Sequence, residues 1–194
     1  MSISTDDIKA LREKTSVSIM QCKKALEDAG GDMEQAVVLL KKRAGAIAEK
    51  KSGRDLGAGT VASYIHGGEV GALVVLSCET DFVGKNEDFV ALAREIAMQL
   101  AATDAKFISD EDITPEAREA AHKVFVEEVA DKPEDMREKI LEGKMQSYFK
   151  DMVLLSQPYI KDSAKTIADL LSEGTQKFGE RIEISRIARF SVRG

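Results

Sequence analysis

The sequence predicts an α+β fold, with a small N-terminal three-helix unit, a linker, and an antiparallel sheet covered by helices. Three observations support this class. Helical patterns with clear stops fill residues 1–48, a charged and glycine-rich stretch without periodicity occupies 49–59, and two β-type runs open the remainder. Residues 60–194 are therefore predicted to form the core domain, including a helical hairpin at about 115–150 that projects into solvent.

The N-terminal unit divides into helices at recognisable caps. Residues 15–18 offer N-caps to a second helix, which stops at Gly30-Gly31. Asp32 and Gln35 have the spacing of a capping box and open the third helix. The predicted apolar positions of the three helices are Ile8, Leu11, Ile19, Cys22, Ala25, Leu26, Ala36, Val37, Leu39, Leu40 and Ala44.

The core domain begins with a predicted hairpin. The runs TVASYIH and EVGALVVLSC flank Gly67-Gly68, the shortest kind of hairpin turn. The second run is almost entirely apolar, which predicts a strand covered on both faces. Helices should therefore pack on this sheet.

Helical patterns dominate the rest of the chain. Asn86 caps a long amphipathic helix, Thr114-Pro115 starts another, and Asp131-Lys132-Pro133 separates that helix from a further charged one. The last two are predicted to run antiparallel. A short helix is expected from Ser163 to Leu171, and RIEISRIARFSV closes the chain as a strand.

Composition narrows the function classes. The formal net charge of −6 and the pI near 5.2 disfavour binding to nucleic acid or to anionic lipid. Cys22 and Cys78 lack the spacing of zinc or redox motifs and are interpreted as reduced thiols. The N-terminus resembles no signal peptide, and no run is long enough to span a bilayer, so a cytoplasmic location is expected.

Two possible chemistries are weak. The stretch GRDLGAGT at 53–60 lacks the lysine of a phosphate loop and follows no strand, so it is interpreted as a linker and no nucleotide cofactor is expected. A thiol enzyme using Cys78 with His66 fails on geometry, because the two lie at opposite ends of the predicted hairpin. With His122 interpreted as a helix-surface residue, no metal cluster and no catalytic residue is predicted.

The segment ETDFVGKN at 79–86 departs from ordinary patterning because it follows the apolar strand directly. Residue statistics alone favour a generic loop, in which Thr80 and Asp81 make turn hydrogen bonds while Phe82 and Val83 fold into the core. The alternative is a displayed docking loop.

ETDFVGKNEDF resembles the signature of the elongation factor Ts family, and three further stretches resemble that family in the same order. They are IKALREKT with MQCKKALEDAGGDMEQAVVLLKKR, then GTVASYIHGGEVGALVVL, then QPYIKDSAKTIADLL. The resemblance implies a guanine-nucleotide exchange factor for the GTPase elongation factor Tu in translation, without covalent catalysis. The resemblance implies that Thr80, Asp81, Phe82 and Val83 contact the partner's nucleotide domain and disturb its Mg²⁺ site. It also implies that the N-terminal unit is similar to ubiquitin-associated domains.

The resemblance also suggests secondary contacts from Arg12, Met20 and His66. Each has a plain alternative: a solvated helix arginine, a core methionine, and a hydrogen-bonded turn residue. Residues 16–19 and 21 depart from the Gly- and Met-rich turn of many members, although Met20 is kept, so the resemblance supports fewer contacts there than at Asp81 and Phe82. The chain also lacks the glycine- and glutamate-rich tail of longer members.

Length and resemblance together suggest a homodimer. Long members have two related core halves, whereas this chain has one, and a second copy would restore the other through an isologous, mostly apolar sheet interface. A rival function is an adaptor, in which the three-helix unit captures ubiquitin-like or polypeptide ligands at the turn around Met20. That hypothesis leaves ETDFVGKN unexplained.

Overall fold

The computed structural model describes residues 3–15, 17–51 and 53–193 and confirms the α+β class. The helices are α1 (Thr5–Thr15), α2 (Ile19–Asp28), α3 (Met33–Lys50), α4 (Asp81–Gly84), α5 (Glu87–Thr103), α6 (Pro115–Glu128), α7 (Glu134–Met152) and α8 (Ile167–Phe178). The strands are β1 (Ala58–His66), β2 (Val70–Cys78), β3 (Pro158–Tyr159), β4 (Asp162–Thr166) and β5 (Ile182–Ser191). The stretch interpreted as a linker, 49–59, thus overlaps the end of α3 and the start of β1.

Helices α1 to α3 enclose a small apolar core of their own. The backbone N–H of Gln21 donates to Ser18 Oγ at 3.4 Å, and that of Gln35 donates to Asp32 Oδ1 at 2.9 Å, so both expected N-caps form. The fully buried residues of this core are Leu11, Val17, Cys22, Ala25, Leu26 and Ala36. Ile19, predicted to face this core, is instead 51% exposed.

The N-terminal helices rest on the core domain through α3, which packs against α8. Lys41 Nζ on α3 lies 2.9 Å from Asp169 Oδ1 on α8. Both side chains are partly exposed, so this ion pair contributes little to the stability of the packing between α3 and α8. The contact sets the orientation of the helical unit relative to the sheet.

The main sheet is antiparallel with strand order β1-β2-β5. The hairpin forms as predicted: His66 pairs with Val70, and the turn residues Gly67 and Gly68 have φ of 57° and 73°. Two successive positive φ values favour glycine, because a residue without a Cβ adopts them with no steric penalty. The final strand β5 completes the sheet on the other side of β2.

One face of the sheet is covered and the other is open. Helix α5 packs on β1 and β2 over a core that includes Val74, Leu76 and Phe89. The prediction that β2 is covered on both faces is wrong within the described chain, because Leu73 on the opposite face is 44% exposed. Strand β2 therefore carries apolar side chains that the described chain leaves exposed. Flanking it on the open side are Val61, Ile65 and Phe190, at 65%, 70% and 69% exposure.

The segment after Pro158 differs from the prediction. Instead of a helix over 163–171, Asp162–Thr166 forms β4, which pairs with β3, and α8 begins at Ile167. Thr166 and Asp169 form a complete capping box, and Gly179 ends α8 in the left-handed conformation with φ 68°. The capping box therefore lies inside the predicted helix rather than at its start.

Helices α6 and α7 form the predicted antiparallel hairpin. Phe125 on α6 contacts Tyr148 on α7, and Lys144 lies 2.7 Å from Glu128, so rising numbers on one helix meet falling numbers on the other. A separate apolar cluster with Phe149 and Val153 joins the hairpin to the body. Among the residues that the structure describes, no helix has both the length and the apolar character needed to cross a membrane.

Candidate docking loop

The segment that follows β2, residues 79–86, is called the docking loop below. It contains the short helix α4, which the sequence does not predict. Thr80 is its N-cap: the hydroxyl accepts from the backbone N–H of Val83 at 3.5 Å. Asn86 then caps α5 by accepting from the backbone N–H of Asp88 at 2.9 Å. The chain therefore leaves the sheet, makes one helical turn and enters α5, with both transitions capped.

Phe82 and Val83 point in opposite directions. Val83 is 5% exposed and belongs to the main core, whereas Phe82 is 81% exposed. The generic-loop interpretation is therefore right for Val83 and wrong for Phe82. Next to them Gly84 packs so closely on β1 that a Cβ there would lie 3.0 Å from the Gly59 nitrogen. The loop displays an aromatic ring from a base fixed by close packing.

Asp81 lies beside that ring at the start of α4. Its carboxylate accepts a hydrogen bond from Lys85 Nζ at 2.7 Å, and both side chains are about three-quarters exposed, at 75% and 78%. The hydrogen bond and charge of Lys85 lower the pKa of Asp81. Asp81 is therefore an exposed anion at neutral pH, and its ion pair is weak enough to exchange for another partner.

Two acidic side chains tie the loop to the turn between α8 and β5. Glu180 Oε2 accepts from the backbone N–H groups of Glu79 and Thr80, each at 3.1 Å, and Glu180 Oε1 accepts from the Thr80 hydroxyl at 2.6 Å. In return, the Glu79 carboxylate accepts from the backbone N–H of Arg181 at 2.8 Å. We call this reciprocal arrangement of Glu79 and Glu180 the carboxylate clamp.

The clamp also reaches the segment that follows α3. Lys51 Nζ and Arg54 Nη1 each lie 2.7 Å from an oxygen of Glu79, whose side chain is 10% exposed. The hydrogen bond from Lys51 is the main cause that lowers the pKa of Glu79 to about 2, and it outweighs the opposing effect of burial. Lys51, Arg54 and Glu180 are not predicted from the sequence, because no local pattern links them to the loop. Glu180 is one hundred residues from Thr80 in the chain.

Arg12 faces the same region of the molecule. With Lys9 and Glu13 on α1 it lines a polar cleft of about 370 Å³, completed by Asp88 and Lys177. Asp88 follows the docking loop by a few residues and is ion-paired with Lys177 at 2.8 Å. The cleft thus places Arg12 near the start of α5.

Met20 lies exposed at the start of α2. The alternative interpretation of Met20 as a core methionine is wrong, because the residue is 75% exposed and its neighbour Ile19 is 51% exposed. Met20 also lines a groove of about 730 Å³ between α2 and α3, with Arg43 and Lys50 on its α3 side. Ile19 and Met20 form an exposed apolar pair.

His66 lies at the far end of the β1–β2 hairpin. Cys78, next to the docking loop, pairs with Ala58, whereas His66 pairs with Val70, so about 27 Å of strand separate them. His66 Nδ1 lies 3.4 Å from the Tyr64 hydroxyl, and its backbone carbonyl accepts from the Glu69 N–H at 3.0 Å. It is a hydrogen-bonded turn residue on an exposed tip.

Cys78 has the properties of a structural thiol. It is fully buried, its Sγ donates to the Thr80 carbonyl at 3.2 Å, and burial together with the Glu180 charge raises the pKa of the thiol. A nucleophilic cysteine needs exposure and a lowered pKa. These features disfavour a thiol enzyme.

Comparison with known proteins identifies relatives over the whole length. The family model for elongation factor Ts matches residues 50–194. The elongation factor Ts of Thermodesulfovibrio yellowstonii is 44% identical over 193 residues, which is 99% of this chain and 97% of that protein. That of Leptospira biflexa is 46% identical over 198 residues, with both chains fully covered, and that of Koribacter versatilis is 45% identical over 99% of this chain and 89% of its own.

Proposed function

Because this chain belongs to the elongation factor Ts family, a family of translation elongation factors, we propose that it is the guanine-nucleotide exchange factor of elongation factor Tu. The proposed activity makes and breaks no covalent bond. It takes place in the cytoplasm, involves no direct contact with nucleic acid or membrane, and requires no cofactor on this chain. The partner's GTPase domain supplies the nucleotide and its Mg²⁺.

The physical requirement for exchange is a difference in affinity. The factor binds the nucleotide-free GTPase more tightly than the loaded one. Its binding therefore lowers the affinity of the GTPase for GDP by the same ratio as GDP lowers the affinity for the factor. Incoming GTP then releases the factor through the same coupling. A surface that inserts side chains where the nucleotide site must move apart fulfils this requirement.

The observation that carries the proposal is the display of Phe82. An aromatic ring at 81% exposure, on a one-turn helix whose next residue is buried, forgoes the apolar burial that it would gain in the core. Exposed aromatic anchors on fixed supports are typical of interface hot spots. Phe82 therefore enters a pocket of the GTPase, while Thr80 and Val83 hold its backbone in place.

Asp81 supplies the electrostatic part of the mechanism. Its carboxylate is exposed, charged and only loosely paired with Lys85. Placed beside the GTPase's metal site, it disturbs the groups that hold Mg²⁺, and loss of that ion removes the largest positive charge from the phosphates. The release of GDP follows from that loss.

Arg12 and Met20 extend the proposed surface along the N-terminal helices. Arg12 borders the cleft beside α5, and Met20 projects from α2 together with Ile19. These residues would lie on the same GTPase domain as Phe82. His66, on the opposite end of the hairpin, would face a different domain of the partner.

The open sheet face supports the proposed homodimer. This face carries a group of exposed apolar residues rather than single scattered ones, namely Val61, Ile65, Leu73 and Phe190. If a second copy of this chain were related by a two-fold axis, the open sheet faces of the two copies would cover each other through the same residues. The nearly continuous apolar sequence of β2 would then be buried on both sides, as a core strand is.

A second candidate function is an adaptor that binds polypeptides through the N-terminal helices. The groove beside Met20 and the exposed Ile19 favour it. The adaptor hypothesis gives no role to Phe82, so substitutions at Phe82 separate the two functions.

The direct test mixes the chain with purified elongation factor Tu loaded with fluorescent GDP, in the presence of excess unlabelled GDP. We expect the label to leave faster as the chain concentration rises. If the labelled GDP leaves no faster than its spontaneous release rate at a saturating concentration of the chain, the exchange activity is refuted and the adaptor function is favoured.

A further inference from the structure

We propose that Glu180 is a positioning residue of the docking loop, holding α4 so that Phe82 is presented before the partner arrives. This inference rests on the proposed exchange function. Glu180 itself lies in the turn after α8, half-buried, and its carboxylate oxygens are occupied by the loop. It therefore acts through Thr80 and Phe82 rather than as the exposed anchor.

The helix that carries Phe82 cannot fix its own orientation. Helix α4 has four residues, and a single turn is unstable in isolation because nucleation fixes several dihedrals for one hydrogen bond. Tertiary contacts must therefore hold it. At its C-terminal end, Val83 and Gly84 pack against the core and β1. At its N-terminal end, the contacts are hydrogen bonds to Glu180.

The chemistry of Glu180 also dictates how the Thr80 hydroxyl is used. A carboxylate only accepts, so the single hydroxyl proton of Thr80 is directed at Glu180 Oε1 at 2.6 Å. The oxygen lone pairs then remain for the backbone N–H of Val83, which caps α4. Loss of Glu180 would free that proton and leave the N–H groups of Glu79 and Thr80 without this acceptor.

The clamp is reciprocal, which makes it rigid across a large separation in sequence. Glu180 accepts from the backbone of Glu79 and Thr80, and Glu79 accepts from the backbone N–H of Arg181. Two short segments are thus joined in both directions by charge-assisted hydrogen bonds. Preorganisation of this kind raises affinity by removing the ordering cost at binding.

The first experiment measures GDP release from elongation factor Tu as a function of factor concentration for wild type, Glu180→Ala and Glu180→Gln. We expect Glu180→Ala to raise the half-saturating concentration about tenfold, the effect of losing hydrogen bonds to a charged group, with little change in the maximal rate. Glu180→Gln keeps an acceptor oxygen for the two N–H groups and should recover part of the loss. Glu128→Ala on the α6–α7 hairpin, which also removes an ion-paired carboxylate, should behave as wild type.

The second experiment shows whether Glu180 acts through the ring. In the Phe82→Ala background, Glu180→Ala should cost much less than it does in wild type, because the anchor that it positions is gone. Amide hydrogen exchange by NMR should also show faster exchange at Glu79 and Thr80 in Glu180→Ala, with the core strands unchanged. A purely structural role predicts additive losses and exchange that rises throughout the chain.

The outcomes separate the two proposals. A wild-type chain that leaves labelled GDP bound refutes the exchange function, and with it the role of Glu180 in exchange. If wild type is active and Glu180→Ala matches it at every concentration, or if the two losses add fully, the positioning role is wrong while the exchange function stands.

Discussion

The strongest prediction concerns Phe82→Ala. A phenylalanine carries roughly 200 Å² of accessible side-chain surface, so an exposed fraction of 81% leaves about 160 Å² for a partner to cover. At about 25 cal/mol per Å², complete burial would contribute at most about 4 kcal/mol. Alanine keeps part of that surface, and binding has ordering costs, so we expect a loss of about 2 kcal/mol, or roughly thirtyfold.

The assay is stopped-flow release of fluorescent GDP from elongation factor Tu over a range of factor concentrations. Phe82→Ala should lower the second-order rate constant of stimulated release by that factor. Thermal unfolding should be almost unchanged, because the ring makes few contacts in the free chain. Val124→Ala serves as the matched control, since Val124 on α6 is 56% exposed and lies outside the proposed surface.

Two results would contradict the role of Phe82 as an anchor. Equal stimulation by Phe82→Ala and wild type at every concentration would show that the displayed ring is not an anchor. Equal losses in Phe82→Ala and Val124→Ala would show a nonspecific effect of exposed apolar truncation.

Three further outcomes are expected. Asp81→Ala should weaken stimulated GDP release most at high Mg²⁺, measured by the same assay over a magnesium titration, and a deficit independent of magnesium would contradict its role at the metal. Ile65→Glu should convert a dimer of twice 21.2 kDa into a monomer in light scattering, with Val124→Glu as control; wild type measuring 21.2 kDa at micromolar concentration would remove the homodimer. Because the folded-state pKa of Glu79 is lowered from 4.5 to about 2, its contribution to unfolding free energy is present above pH 4.5 and lost toward pH 2. The difference in urea midpoint between wild type and Glu79→Gln should therefore shrink over that range, and a constant difference would contradict it.

Much of the fold could be predicted because the relevant signals are local. Caps at Ser18, Asp32 and Asn86, the glycine pair at the hairpin turn and the helix-breaking Pro133 each act within a few residues of the chain. The helix predicted over 163–171 begins four residues before α8 and ends seven residues before Phe178, although Thr166 and Asp169 form a capping box at the true start.

The surface was harder to predict than the elements. Met20 and Ile19 look like core residues by composition, yet both are exposed, because α2 buries Cys22, Ala25 and Leu26 instead. Similarly, β2 resembles a strand buried on both faces, although the described chain covers only one. Burial depends on which elements pack against a face, and that information is spread over the whole chain.

By itself, the sequence determined the order and type of most elements and, through family resemblance, drew attention to residues 80–83. Only the tertiary structure decided that Phe82 turns outward while Val83 turns inward, and that Glu180 accepts hydrogen bonds from Glu79 and Thr80, which precede them. The physical reason is the length of α4: four residues have too little helical stability to orient a side chain alone. The segment is held instead by packing on β1 and by hydrogen bonds to the Glu180 carboxylate, which lies one hundred residues after Thr80 in the sequence.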